Sequence, residues 1–165
     1  MLKITPTNLA EVKILEYEKY PESRGCSYSI FSNKELQRVG IETDFIEENV
    51  YCAKKKGTLY GIHFQNHPVA QTKLLYCIKG RGLDFAIDLR RNSKTFKQWV
   101  SVELSSDNRK QIYIPKGFGH AFLSLEDDTH VVMRIDNYFE EKYRRGIVWN
   151  DPELNINFPI DNPIL

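Results

Sequence analysis

The sequence of 165 residues predicts an all-β chain, an antiparallel sandwich or closed jelly roll with very little helix. Three observations carry that expectation. Leu83-Asp84-Phe85-Ala86-Ile87-Asp88-Leu89 alternates large apolar residues with small or acidic ones, the period-two mark of a strand with two unlike faces. Short apolar runs recur at close spacing, with turn-rich segments between them. Only one clear helix start is present.

In chain order, Ser32-Asn33-Lys34-Glu35 reads as a capping box, with Leu36 and Val39 at helical spacing and Gly40 as the stop. The expected strands are Leu74–Lys79, Leu83–Leu89, Trp99–Leu104, Gln111–Ile114, Ala121–Leu125 and His130–Ile135. Lys79-Gly80-Arg81-Gly82, Arg91-Asn92-Ser93-Lys94, Ser105-Ser106-Asp107-Asn108 and Glu126-Asp127-Asp128 are the turns between them. A further helical turn is expected within Phe139–Arg145. Trp99, Phe85 and Phe122 are expected in the core. Open edges are costly in such a sheet, which favours closure into a barrel or edge-to-edge pairing of two copies.

A chain of this length fits one domain spanning residues 1–165. Hydrophobic residues make up 41%, charged residues 27%, and the formal net charge is +1, values of an ordinary folded protein. No basic excess points to nucleic acid, and no apolar run approaches the roughly 18 residues of a spanning helix. The first residues lack the continuous apolar run of a leader or anchor. Cys26, Cys52 and Cys77 are odd in number and lack CxxC spacing, so buried, reduced thiols in a cytoplasmic protein are expected. Arg90-Arg91 and Lys54-Lys55-Lys56 read as solvated faces, His67 and His130 as surface or structural residues.

Two segments carry candidate chemistry. Gly61-Ile62-His63-Phe64-Gln65 is followed by Gln71-Thr72-Lys73, and Pro115-Lys116-Gly117-Phe118-Gly119-His120 sets a tight turn ahead of a histidine. A barrel metal site would need a second histidine where Gln65 stands and a carboxylate where Lys73 stands. An ammonium there opposes a divalent cation, so no metal and no cofactor is expected. A neutral imidazole and a half-dry ammonium suit another task. His63 can take a proton from a carbon beside a ketone, and Lys73 can stabilise the resulting enolate oxygen.

From about Arg24-Gly25 to Pro159 the sequence resembles the dTDP-4-dehydrorhamnose 3,5-epimerase family. GIHFQ, QTK, the stretch from GRGLDFAIDLRR to PKGFGHAFLSL, and RRGIVWNDPELNINFP carry the likeness. The resemblance implies a cupin jelly roll without metal, a homodimer, and epimerisation of a nucleoside-diphosphate-linked 4-keto-6-deoxy sugar in deoxysugar biosynthesis. It implies His63 as base, with Lys73 and His120 as the other catalytic positions. Arg24, Asn49, Tyr60, Gln65, Met133, Tyr138 and Arg144 fall at substrate-binding positions.

Several positions depart from the family pattern. Tyr60 stands for an arginine, Ser29 and Arg144 for glutamates, and Met133 for the tyrosine that gives a proton to the opposite sugar face. A thioether cannot give that proton, which leaves Tyr60 and Tyr138 as candidate donors. The family pattern continues beyond the position of Leu165 into a segment whose aspartate orients the base, a role for which Asp84 or Asp151 is the expected substitute here. Two rival readings are a ketosugar isomerase, which Gln65 disfavours, and a sugar-nucleotide-binding partner without turnover.

Overall fold

The computed structural model describes all 165 residues. Thirteen strands and one short helix follow in order: β1 (Leu2–Pro6), β2 (Lys13–Tyr17), β3 (Lys19–Glu22), β4 (Gly25–Tyr28), α1 (Asn33–Arg38), β5 (Glu47–Ala53) and β6 (Leu59–Gln65). β7 (Lys73–Lys79), β8 (Arg81–Asp88), β9 (Trp99–Ser105), β10 (Gln111–Ile114), β11 (Phe118–Ser124), β12 (Thr129–Ile135) and β13 (Arg144–Gly146) complete them. The strands form a six-stranded sheet, β1-β2-β10-β7-β12-β5, and a five-stranded sheet, β13-β6-β11-β8-β9. All of these pairs are antiparallel, and the two sheets make a jelly roll.

The pleat explains where each side chain goes. On β7 and β12 the odd-numbered residues Leu75, Cys77, Val131, Met133 and Ile135 point between the sheets, where they meet Ala86, Val102, Leu104 and Phe122 of the smaller sheet. The alternation in Leu83–Leu89 has an unexpected orientation. Phe85 and Ile87 face outward, into a second core closed by Leu154 and Phe158, while Asp84, Ala86 and Asp88 sit on the other face. A third cluster, around Leu36, Ile41, Leu15 and Leu74, covers the outside of the larger sheet. Three apolar layers therefore hold two sheets in place. Phe85 and Phe122 are core as expected, whereas Trp99 is only half-buried at the edge of the second layer.

Half of the capping box forms: the Ser32 side chain accepts from the Glu35 backbone N–H at the start of α1, while the Glu35 carboxylate turns instead to the Leu2 N–H and to Arg38. The turn expected near residue 140 is a single 3-10 turn, Glu141–Tyr143. Two surface expectations fail. Arg90 is clamped to the fully buried Asp88, whose carboxylate also accepts from Ser93 and Thr95, and it pairs with Glu11. These donors hold the Asp88 carboxyl far below the usual carboxylate range despite its burial. Of the three thiols only Cys77 is buried; Cys26 and Cys52 are exposed, because both lie on outward faces of peripheral strands. No helix is long and apolar enough to cross a membrane.

Candidate active site

A cavity of about 1080 Å³ opens between the ends of the two sheets. That volume suits a ligand at the upper end of drug-like size or somewhat larger. Its smaller-sheet wall carries His63 and Tyr60 from β6, and its larger-sheet wall carries Asn49, Tyr51 and Met133.

His63 is placed by register. β6 and β11 pair antiparallel with His63 directly opposite His120, and the register shifts between His120 and Ala121. Gly61 permits this close approach, since a Cβ there would stand 2.4 Å from the His120 carbonyl oxygen. Gly117, at a φ of +88°, makes the turn that leads into β11, as the Pro-x-Gly-x-x-His spacing predicts. Directly opposite residues on one sheet face are natural side-chain partners. The two imidazoles accordingly meet edge to face, with His120 Nδ1 3.5 Å from His63 Nε2.

Behind them, β8 pairs with β11 so that Asp84 lies diagonal to His120. His120 Nε2 stands 2.9 Å from Asp84 Oδ2, and both side chains are almost completely buried. Asp84, His120 and His63 form a row from the interior to the cavity surface. The hydrogen on each ring nitrogen dictates the role of the nitrogen facing it, so the row sets the tautomer of His63. Burial drives both histidines well below their usual range, and the Lys73 charge adds to the effect on each. His63 is therefore a neutral imidazole at pH 7, able to accept a proton. Burial pushes the Asp84 carboxyl well above its usual range, against the opposing pull of Lys73. Asp151, the other candidate for this orienting role, instead accepts from the backbone N–H groups of Glu153 and Leu154 in a surface turn.

Lys73 projects inward from β7 and is only 2% exposed. It is not the solvated side chain that a lone lysine usually is. Its Nζ donates to Gln71 Oε1 at 2.9 Å, and Gln71 lines the cavity. The ammonium thus stands one hydrogen bond behind the cavity surface. Burial lowers it to about 8, with Asp136 and Asp84 opposing.

The remaining predicted site residues divide. Asn49, Tyr60, Gln65, Met133 and Arg144 line the cavity together with His63. Gln65 is committed elsewhere: its amide donates to the Val69 and Tyr138 carbonyls and accepts from the Glu140 N–H, which pins two loops. Tyr138 is not brought to the cavity. The residue is 62% exposed and lies outside the cavity lining, while its backbone carbonyl accepts from the Gln65 amide. Arg24 sits in the turn of the β3–β4 ribbon, an exposed two-stranded hairpin apart from both sheets, and does not line this chain's own cavity.

Tyr51, Glu47 and Trp149 also line the cavity and were not expected there. The period-two rule would have found the first two, since residues 47, 49 and 51 share one face of β5. Tyr51 is half-buried and its ring tilts against that of Tyr60, centroids 5.5 Å apart.

A jelly roll with a histidine pair at the wall of an open cavity, and a buried ammonium behind that wall, is the framework of an enzyme. The sequence matches the family described as dTDP-4-dehydrorhamnose 3,5-epimerase over residues 6–165, and the chain belongs to that family, a family of isomerases. It is 36% identical to dTDP-4-dehydrorhamnose 3,5-epimerase of Shigella flexneri over 99% of this chain and 91% of that protein. The crystal structure of dTDP-4-dehydrorhamnose 3,5-epimerase from Bacillus anthracis, with TDP and PPi bound, superposes with a TM-score of 0.97. That match is at 38% identity and covers 99% of this chain and 94% of the other. The Legionella pneumophila dTDP-6-deoxy-D-glucose-3,5-epimerase, in complex with dTDP-4-keto-L-rhamnose, gives a TM-score of 0.93 at 34% identity. It is covered to 87%, against 100% of this chain.

Proposed function

We propose that this chain epimerises a 4-keto-6-deoxy sugar carried on a nucleoside diphosphate, in deoxysugar biosynthesis, by way of an enolate. The observation that carries the reading is the Asp84–His120–His63 row beside Lys73. A ketone acidifies the carbon–hydrogen bonds next to it, and a neutral imidazole is a base suited to neutral pH. His63 takes the proton, and the charge that develops on the ketone oxygen is stabilised by the buried ammonium of Lys73 behind Gln71. His120 acts through His63 as a positioning residue, since it lies beneath the ring and not on the wall of the large cavity. Arg144, at the cavity wall, offers its guanidinium to the diphosphate, with Asn49 and Tyr60 as further substrate contacts.

A homodimer belongs to the same proposal. Arg24 rides on a ribbon whose eight strand residues are all exposed, away from its own cavity. For Arg24 to reach a diphosphate, a second copy must supply it. The exposed thiols of Cys26 and Cys52 fit a reducing compartment such as the cytoplasm.

The test is proton NMR of dTDP-4-keto-6-deoxyglucose with the protein in deuterated buffer. Deuterium enters at one or both carbons flanking the ketone, and a His63→Asn variant loses about 10³–10⁴-fold in that exchange. If dTDP binds but neither this ketone nor its guanosine- and cytidine-linked counterparts exchange, the chain is a sugar-nucleotide binder and not an enzyme.

A further inference from the structure

We propose that Tyr51 is the acid that protonates the enolate on the face opposite His63, the work that the family pattern gives to a tyrosine where this chain has Met133. The inference rests on the epimerase reading above. Inversion needs two groups on opposite sides of the sugar ring, one to remove a proton and one to return it. His63 comes from β6, in the five-stranded sheet. The donor must therefore come from the six-stranded sheet across the cavity, where β12 and β5 form the wall.

Met133 occupies that wall and is 4% exposed, but a thioether has no proton to give. The next strand supplies what Met133 lacks. β5 pairs with β12 so that Asn49 lies opposite Met133 and Tyr51 opposite Val131, which makes Tyr51 the diagonal neighbour of Met133 on the same inward face. Diagonal neighbours across a pair lie within reach of aromatic side chains. Tyr51, Met133 and His63 also border one small void, together with Tyr60 and His120. Tyr60 is the other cavity phenol, but it springs from the same strand as the base. Burial, helped by Glu47 and Tyr60, raises the Tyr51 phenol above its usual range, so it enters the reaction protonated.

The steps balance. His63 takes the proton from the carbon, and the electron pair of that bond becomes the enolate, its charge on the former ketone oxygen. Tyr51 O–H then gives its proton to the same carbon from the other face, and the pair returns to a carbon–hydrogen bond. The tyrosinate regains a proton from solvent through the open cavity, and His63 releases its own.

The experiment compares wild type with Tyr51→Phe, Tyr60→Phe and the double variant Tyr51→Phe/Met133→Tyr, measuring deuterium exchange and configuration together. Without its acid the enolate is reprotonated only from His63, on the face it left. Tyr51→Phe then still washes deuterium into substrate of unchanged configuration, while epimer formation falls about 10²-fold or more. Met133→Tyr in that background restores epimer, and Tyr60→Phe leaves the ratio of exchange to inversion unchanged. Epimer formation at the wild-type rate by Tyr51→Phe overturns the assignment, as does an equal loss of exchange and inversion. No exchange by wild type itself overturns the epimerase reading beneath it.

Discussion

The two walls of the cavity are built from the same kind of strand but carry their chemistry differently. On the smaller sheet, His63, His120 and Asp84 occupy three adjacent strands and touch in sequence, so the position of each depends on the next. Asp84 and His120 are almost completely buried, and a change in either leaves a buried polar partner unpaired. On the larger sheet, Asn49, Tyr51 and Met133 project from β5 and β12 toward open space, and no such row ties them together. The base and the histidine beneath it stand at family positions, His63 and His120, whereas Met133 on the facing wall departs from the family tyrosine. A buried polar row resists piecemeal replacement, whereas side chains that end in a cavity can trade roles with a neighbour on the next strand.

That contrast can be broken or sharpened by substitution. The largest loss is expected for His63→Asn, which removes the base itself. Lys73→Met comes next, lowering exchange about 10²–10³-fold by removing the charge behind Gln71 that stabilises the enolate oxygen. The same ammonium sets the alkaline limb of the pH–rate profile. Activity falls as pH rises through about 8, where burial has placed the lysine. The acid limb lies below 6.5, because His63 stays neutral there.

Lys73→Met should also raise the thermal midpoint. The lysine is held near 8 in the fold and near 10.5 in the unfolded chain, so burying its charge costs stability below about 8. That cost vanishes as pH rises through about 10.5, and the gain from the substitution, read by thermal melts, should vanish with it. The smallest effect is expected for Asp84→Ala. It leaves His120 Nε2 buried without its partner and lowers stability by about 1–3 kcal/mol in a urea titration, with nucleotide affinity unchanged. A rate loss in Asp84→Ala as large as in His63→Asn would show that the carboxyl does more than hold the ring.

Much of this was legible in the sequence, and the rest was hidden for physical reasons. Most of the central strands and the α1 N-cap follow from period two and turn chemistry, the pairing of His63 with Lys73 from the chemistry of the two side chains, and the place of His120 beside them from the family resemblance. Strands β1 to β6 and β13 were not legible, because most of their residues are exposed or half-exposed and mix polar with apolar character. Tyr138 and Arg24 stood at positions that only the fold could place: one is exposed beside the loop that Gln65 pins, the other is carried on a ribbon. Asp84 appeared in the sequence only as a candidate to orient the base. The structure shows that it reaches His63 through His120, a relation fixed by the register of β11 against two neighbours.

The central claim is that one wall takes the proton and the other returns it. It is tested most directly by the isotope content of first-turnover product made from protiated 4-keto substrate in deuterated buffer. Two separate groups predict product that carries solvent deuterium at the inverted carbon from the first turnover, with none of the substrate's own hydrogen. Product that retains the original hydrogen at that carbon would mean a single group carries the proton from one face to the other, and would contradict the account.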